Sequence, residues 1–305
     1  MTIFSDPRSL EQALERAGHI VTSELATACV LAHRLGKPLL CEGVPGVGKT
    51  SLARALARAS GGPLIRLQCH DGLESSQALY DWDFAKQILH VRTIEAASTV
   101  AGEPIDALRL DDELHDRAFL LARPILQAIE DSQGLGSDDP RPVLLIDEVD
   151  RAGDEFDALL LEALADWSIS IPELGTISTE TPPLVILTSN RTRDLHDALR
   201  RRCLYHWFEQ PDAAAESRIL SLHVPQAELS LREAVIDAAN RLRRADLIKP
   251  PGTAETIDWL RALHSLGLEE LDEPSAAATL SAVLKEADDL DPAGSALRSL
   301  GGGSR

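Results

Sequence analysis

Gly43-Val44-Pro45-Gly46-Val47-Gly48-Lys49-Thr50 fits the pattern G-x-x-x-x-G-K-[ST], a phosphate-binding loop. Chemistry sets the spacing. A glycine-rich turn lets successive backbone N–H groups point inward and cradle phosphate oxygens. A helix that starts where the loop ends adds the positive end of its dipole. Lys49 is expected to reach the β- and γ-phosphates of ATP, and the Thr50 hydroxyl to ligate Mg²⁺. Gly43, Val44, Pro45, Gly46, Val47, Gly48, Lys49, Thr50 and Ser51 are therefore the candidate nucleotide-binding residues.

Val143-Leu144-Leu145-Ile146-Asp147-Glu148 supplies the complementary chemistry. An unbroken apolar run that ends in two acids reads as a central parallel strand with carboxylates at its C-terminal end, where ligand sites of open α/β sheets lie. Asp147 joins Thr50 as a candidate Mg²⁺ ligand, usually through water. Glu148 is the candidate that orients and polarises the attacking water. Asn190 closes a further buried run, Leu184-Val185-Ile186-Leu187-Thr188-Ser189. Its amide either fixes that water and senses the γ-phosphate or simply ends the strand in a turn. Arg200, Arg201 and Arg202 are either a solvated basic face or the source of an arginine that stabilises charge on a neighbouring subunit's nucleotide.

The elements that must position these groups follow from the same rows. Pro38-Leu39-Leu40-Cys41-Glu42 reads as a strand into the loop, and residues 51–59 read as the helix out of it, stopped by Gly61-Gly62. Residues 63–69 are the next strand. Residues 1–37 read as two helices, the first capped by Ser9 and the second starting at about Val21. Phe119-Leu120-Leu121 and Ile125-Leu126-Ile129 read as one apolar helix face. Residues 167–177 alternate around a Pro/Gly break and read as a hairpin. Leu204-Tyr205-His206-Trp207-Phe208 is strand-like. Beyond Pro211-Asp212 the patterns are helical only, at about 213–221, 229–245, 253–265 and 273–287. The fold class read from these elements is α/β, parallel strands followed by a small all-helical domain. The expected divisions are 1–211 for the core, with an insert at about 79–117 and a hairpin at about 167–181, then 212–295 for the lid and 296–305 for a flexible tail.

The 305-residue chain carries a formal charge of −19. That weighs against general nucleic-acid binding, which needs a basic surface. The four cysteines form no C-x-x-C pair, so neither a zinc nor a disulfide framework is indicated. Cys69-His70 is at most an isolated metal pair. No apolar run approaches the ~18 residues of a membrane span and no signal peptide is evident, so a cytoplasmic location is expected.

On these motifs the chain resembles the AAA+ ATPases, and within them the MoxR group. Residues 43–50 correspond to Walker A, 143–148 to Walker B, 186–190 to sensor 1 and 195–203 to the arginine-finger helix. The hairpin lies where the pre-sensor-1 hairpin is expected. Leu79-Tyr80-Asp81-Trp82-Asp83-Phe84-Ala85-Lys86-Gln87-Ile88-Leu89-His90 is similar to the helix-2 insert of the CoxD-like branch. The resemblance covers roughly residues 10–290. It implies an α/β core with a parallel five-stranded sheet, a small all-helical lid, a hexameric ring, a chaperone-like ATPase, an adaptor with a von Willebrand factor A domain, and maturation of the metal centre of a molybdenum hydroxylase or CO dehydrogenase-like client. Glu148 and Asn190 then act on water, with Arg202 or Arg201 in trans. The alternatives are a DNA-directed motor or loader, against which the acidity weighs, and a nucleotide-gated binding protein with little turnover. One departure stands out: where many lids place a sensor-2 arginine, this chain has Glu255. Tyr80, Trp82 and Phe84 alternate with Asp81 and Asp83, which in extended form puts aromatics on one face. They serve either as a docking surface or as core.

Overall fold

The computed structural model describes residues 3–102, 106–136 and 138–298. Its centre is a parallel sheet. In chain order the strands are β1 (Leu39–Gly43), β2 (Leu64–Gln68), β3 (Tyr80–Trp82), β4 (Leu120–Ala122), β5 (Val143–Asp147), β6 (Ser168–Ile171), β7 (Gly175–Ser178), β8 (Leu184–Ser189) and β9 (Leu204–Phe208). Five of them form the sheet, in the order β2-β5-β8-β1-β9, and every pairing is parallel. β3 and β4 form one antiparallel pair, and β6 and β7 the expected hairpin.

Side-chain alternation explains the layers. Leu40, Leu144, Ile146, Val185 and Leu187 point to one face of the sheet and meet Ile125, Leu126, Phe156 and Leu160 of helices Pro124–Glu130 and Asp154–Asp166. Leu39, Cys41, Val143, Leu145, Leu184 and Ile186 point to the other and meet helices Pro7–Arg16, Ser23–Leu35 and Lys49–Ser60. A strand buried on both faces has to be apolar throughout, and β5 and β8 are buried along their whole length. Each such leucine or isoleucine contributes about 1.5–3 kcal/mol.

Two local readings are corrected. The first helix is capped by Asp6, not Ser9: the Asp6 carboxylate accepts the Ser9 N–H at 2.9 Å, and Pro7 opens the helix, a position where its missing N–H costs nothing. Residues 119–129 are not one helix. Leu120–Ala122 is extended and pairs with Tyr80–Trp82, and the helix starts at Pro124. A residue before proline is driven out of the helical region, so Arg123 separates the two elements.

The helical region after β9 comprises Ala213–His223, Leu229–Arg244, Thr253–Ser265, Glu273–Val283 and Leu290–Leu297. It has its own apolar core, centred on the fully buried Trp259, whose indole N–H donates to Thr279 Oγ1 at 2.7 Å. The Arg243 guanidinium bonds both carboxylate oxygens of buried Glu216, at 2.6 and 2.8 Å. The last helix carries Leu297, 2 % exposed, into that core, so order runs into the stretch expected as tail. Residues 299–305 lie outside the described residues.

Candidate nucleotide site

β8 lies between β5 and β1. That order brings the loop after β1, the acids that end β5 and Asn190 at the end of β8 to one edge of the sheet. Gly43 ends β1 at φ +154, where an added Cβ would stand 2.5 Å from the Phe208 carbonyl oxygen, so β9 approaches too closely for any side chain. Gly46 has φ +79 and lies against Gly252 and Glu255 of the helical region.

Lys49 opens the helix after the loop and is 7 % exposed. Its ammonium donates to the carbonyls of Gly43 at 2.6 Å and Val44 at 2.8 Å, and to Asn190 Oδ1 at 2.8 Å. Burial pushes its amine below the usual lysine range, and nearby acids, Asp150 foremost, oppose that. Thr50 Oγ1 donates to Asp147 Oδ1 at 2.8 Å. Two oxygens, one hydroxyl and one carboxylate, are the hard donor set Mg²⁺ takes from a protein when water and substrate phosphates complete its shell. The residues therefore fit the metal.

Several groups that motif reading passes over hold this pair. Thr188 Oγ1 donates to the same Asp147 oxygen at 2.6 Å and accepts the Glu148 backbone N–H at 2.9 Å. Arg66 takes the other Asp147 oxygen through Nε at 3.2 Å and Nη2 at 2.6 Å, and also bonds Gln68. Glu148 adopts φ +56, a left-handed conformation that costs a non-glycine residue about 1–3 kcal/mol. Its carboxylate accepts from Gln68 Nε2 and pairs with Arg151, each at 3.1 Å. The sequence signals were the hydroxyl residues that end an aliphatic strand (Thr188, followed by Ser189) and polar residues alternating along an edge strand beside Asp147 (Arg66, Gln68). His19 was also missed. Its Nδ1 lies 3.1 Å from Ser51 Oγ, its Nε2 is buried without a partner, and burial pushes it down to about 4.

The other candidates sort cleanly. Arg200 pairs with Glu42, 1 % exposed, at 3.5 Å. Arg202 Nη1 donates to the Leu161 carbonyl at 2.7 Å, and Arg201 is exposed. Neither Arg201 nor Arg202 is brought to Lys49 or Glu148 within the chain. Cys69 is sealed in the core, which pushes its thiol up to about 12, while His70 is exposed. They make no metal pair. At the helical region, Ala254 N–H donates to the Gly46 carbonyl at 3.2 Å, and the Glu255 carboxylate accepts the Gly252 N–H at 3.0 Å. Tyr80 and Trp82 are half-buried against the main core, and Phe84, which opens a helix, is 64 % exposed. The expected three-ring face is thus split, because the extended segment stops at Trp82. Among the described residues no helix is long and apolar enough to cross a membrane.

Among solved structures, RuvB of Thermotoga maritima, described as a Holliday junction branch migration motor, is similar at 15 % identity and TM-score 0.47, over 90 % of this chain and 71 % of that one. A point mutant of the same protein matches at 16 % identity and TM-score 0.49, over 92 % and 71 %. At such values the overlap bears on neither substrate nor partner. Residues 39–209 match the ATPase family associated with various cellular activities (AAA). That match covers more than half of the chain and runs from the first residue of β1 to just past the end of β9, taking in the whole parallel sheet and both loops that meet at Lys49: the chain belongs to the AAA family of ATPases.

Proposed function

We propose that this protein hydrolyses ATP to remodel a protein client, as a MoxR-type chaperone of the CoxD-like branch working as a hexameric ring in the cytoplasm. The core at 1–211 and the lid at 212–295 are its two working parts. The P-loop N–H groups and Lys49 hold the phosphates. Mg²⁺, held by Thr50 and Asp147, would neutralise developing phosphate charge. Glu148 takes a proton from the attacking water, and Asn190, already bonded to Lys49, holds that water in line. Arg202 or Arg201 reaches the nucleotide of the next subunit. An adaptor with a von Willebrand factor A domain and a molybdenum hydroxylase or CO dehydrogenase-like client belong to the same proposal.

The observation that supports a protein client is helix Phe84–Ala101. None of its side chains is buried, and Phe84, Ile88, Leu89 and Val100 are 64, 63, 67 and 90 % exposed. Its other side rests on the segment around Leu114 and Phe119 through Gln87 and Lys86. Exposed large apolar side chains grouped on one helix mark an interaction site, and a net charge of −19 weighs against the basic surface that DNA binding requires.

The test replaces Phe84, Ile88 and Leu89 by serine in a Glu148→Gln background. Unchanged melting with loss of the co-purifying client supports the proposal. Unchanged client capture, or salt-sensitive binding of DNA by the parent protein, overturns it.

A further inference from the structure

Asp150 lies three residues past Asp147, in the short turn Val149–Arg151, and is 3 % exposed. No motif accounts for a buried acid there. Its Oδ2 accepts three hydrogen bonds from the loop after β8: Asn190 N–H at 3.2 Å, Thr192 N–H at 2.8 Å and Thr192 Oγ1 at 2.7 Å. The Asp150 carbonyl accepts from Thr192 Oγ1 as well, at 3.3 Å. Arg191, between the two bonded residues, has φ +57. Alternate backbone N–H groups around a left-handed residue form a concave nest for an anion, and here the anion is the Asp150 carboxylate. Without it, the left-handed Arg191 and two inward N–H groups would lack compensation.

The clasp has a direct consequence for the site. Asn190 gives its backbone N–H to Asp150 and its side-chain oxygen to Lys49. Fixing the backbone therefore fixes the amide over the ammonium. Asp150 is also the foremost of the acids opposing the effect of burial on Lys49. Its second oxygen, Oδ1, is enclosed and has no hydrogen-bond partner, so the carboxylate is held entirely from the side of the Asn190 loop.

We propose that Asp150 is the positioning residue of the hydrolytic site, whose carboxylate folds the loop at 190–192 and so sets the Asn190 amide against Lys49. It rests on the reading of Asn190 as a residue that acts in ATP hydrolysis. Asp150 itself touches neither water nor phosphate in this role.

The test uses the full chain and four variants, Asp150→Ala, Asp150→Asn, Asn190→Ala and Asp150→Ala with Asn190→Ala, each followed by ATP turnover, ATP affinity and melting. If wild type does not hydrolyse ATP, or Asn190→Ala turns over normally, the underlying reading fails and not the clasp. Given a working enzyme, Asp150→Ala should lower kcat as far as Asn190→Ala does, by roughly tenfold or more, with KM changed by less than about threefold. The double variant should be no slower than either single one, because both remove the same placement. Asp150→Asn keeps an acceptor oxygen for the loop and should recover most of kcat. It also covers the case in which the alanine variant fails to fold. Multiplying losses in the double variant, an unchanged kcat in Asp150→Ala, or Asp150→Asn as slow as Asn190→Ala at wild-type melting would each overturn the proposal.

Discussion

Removing the Arg66 guanidinium should lower the Mg²⁺ requirement of the enzyme. Asp147 has both oxygens engaged: Oδ1 by Thr50 and Thr188, Oδ2 by Arg66 at 2.6 and 3.2 Å. A cation held by this carboxylate must bind against the guanidinium, both for the oxygen and in charge. A hydrogen bond to a charged group contributes about 1.5–3 kcal/mol when buried. The Arg66 side chain is 43 % exposed, so solvent screening brings the figure down to about 1 kcal/mol. At about 1.4 kcal/mol per tenfold, that is roughly a fivefold effect. Arg66→Met keeps an unbranched stem at this position and deletes the competing charge. Initial rates at saturating ATP, titrated with free Mg²⁺, should show half-saturation roughly fivefold lower than in wild type, while ATP affinity measured in a chelator should stay the same. A half-saturation that is unchanged or higher would show that Arg66 does not compete for Asp147, and the argument would fail.

Thr188→Val keeps the shape of a buried side chain but leaves Asp147 Oδ1 and the Glu148 N–H each short of a partner. Urea unfolding should show a loss of about 1–3 kcal/mol, with turnover reduced more than ATP affinity. Glu148→Gln should bind ATP with almost no turnover; mixed with Arg202→Ala it should regain part of the activity if the arginine acts between subunits, and a mixture as inactive as its components argues against that. Gly46→Ala should weaken ATP binding and lower the melting temperature, because φ is +79 and the new methyl would lie 2.9 Å from Glu255 Oε2 and 3.1 Å from Gly252 Cα; wild-type affinity would contradict the contact. His19 is held neutral when folded, its pKa falling from 6.5 to about 4. The unfolded chain therefore takes up the proton first: the stabilising effect is full above 6.5 and is lost as pH falls towards 4. It amounts to at most about 3 kcal/mol at ~1.4 per pH unit. His19→Gln should flatten the difference in urea midpoints between about pH 7 and about pH 5, and an unaltered difference would remove His19 as the cause.

The sequence carried the sheet and the site unequally. β1, β5 and β8 were legible because strands buried on both faces must be apolar along their length, and Asp147, Glu148 and Asn190 stand out where the apolar run stops. The helices at 229–245 and 253–265 were legible from their period for the same reason. β3 and β4 were not. Three residues each are too few to display a period, and Leu120 and Leu121 matched the helical spacing of Ile125 and Ile129; only Pro124 argued otherwise. The Phe84 misplacement has the same origin, since alternation over five residues does not reveal that the extended backbone ends after three. Arg66, Gln68 and Thr188 were hidden for a different reason. Their roles come from register, Gln68 lying opposite Asp147 and Thr188 opposite Cys41, and register between strands far apart in sequence is set by the assembled sheet.

The same distinction applies where the helical region meets the P-loop. A carboxylate, Glu255, stands at the position noted in the sequence as a departure from a sensor-2 arginine, and it is spent on the Gly252 N–H of its own helix start. Contact with the loop is made by backbone instead: the Ala254 N–H on the Gly46 carbonyl at 3.2 Å, with Gly252 Cα against the Gly46 backbone. A backbone contact between two glycines depends on shape and on one hydrogen bond of about 1 kcal/mol net, not on long-range charge. Docking there is consequently weak in energy and strict in geometry. Lys49, which answers to phosphate, and Asp147, which with Thr50 would hold the metal, both lie on the sheet side, at the ends of β1 and β5. A charge pair, Arg218 with Glu15 at 3.1 Å, joins the helical region to the first helix of the core, so substitutions that add bulk at Gly46 or Gly252 test the backbone contact at the loop without touching that pair.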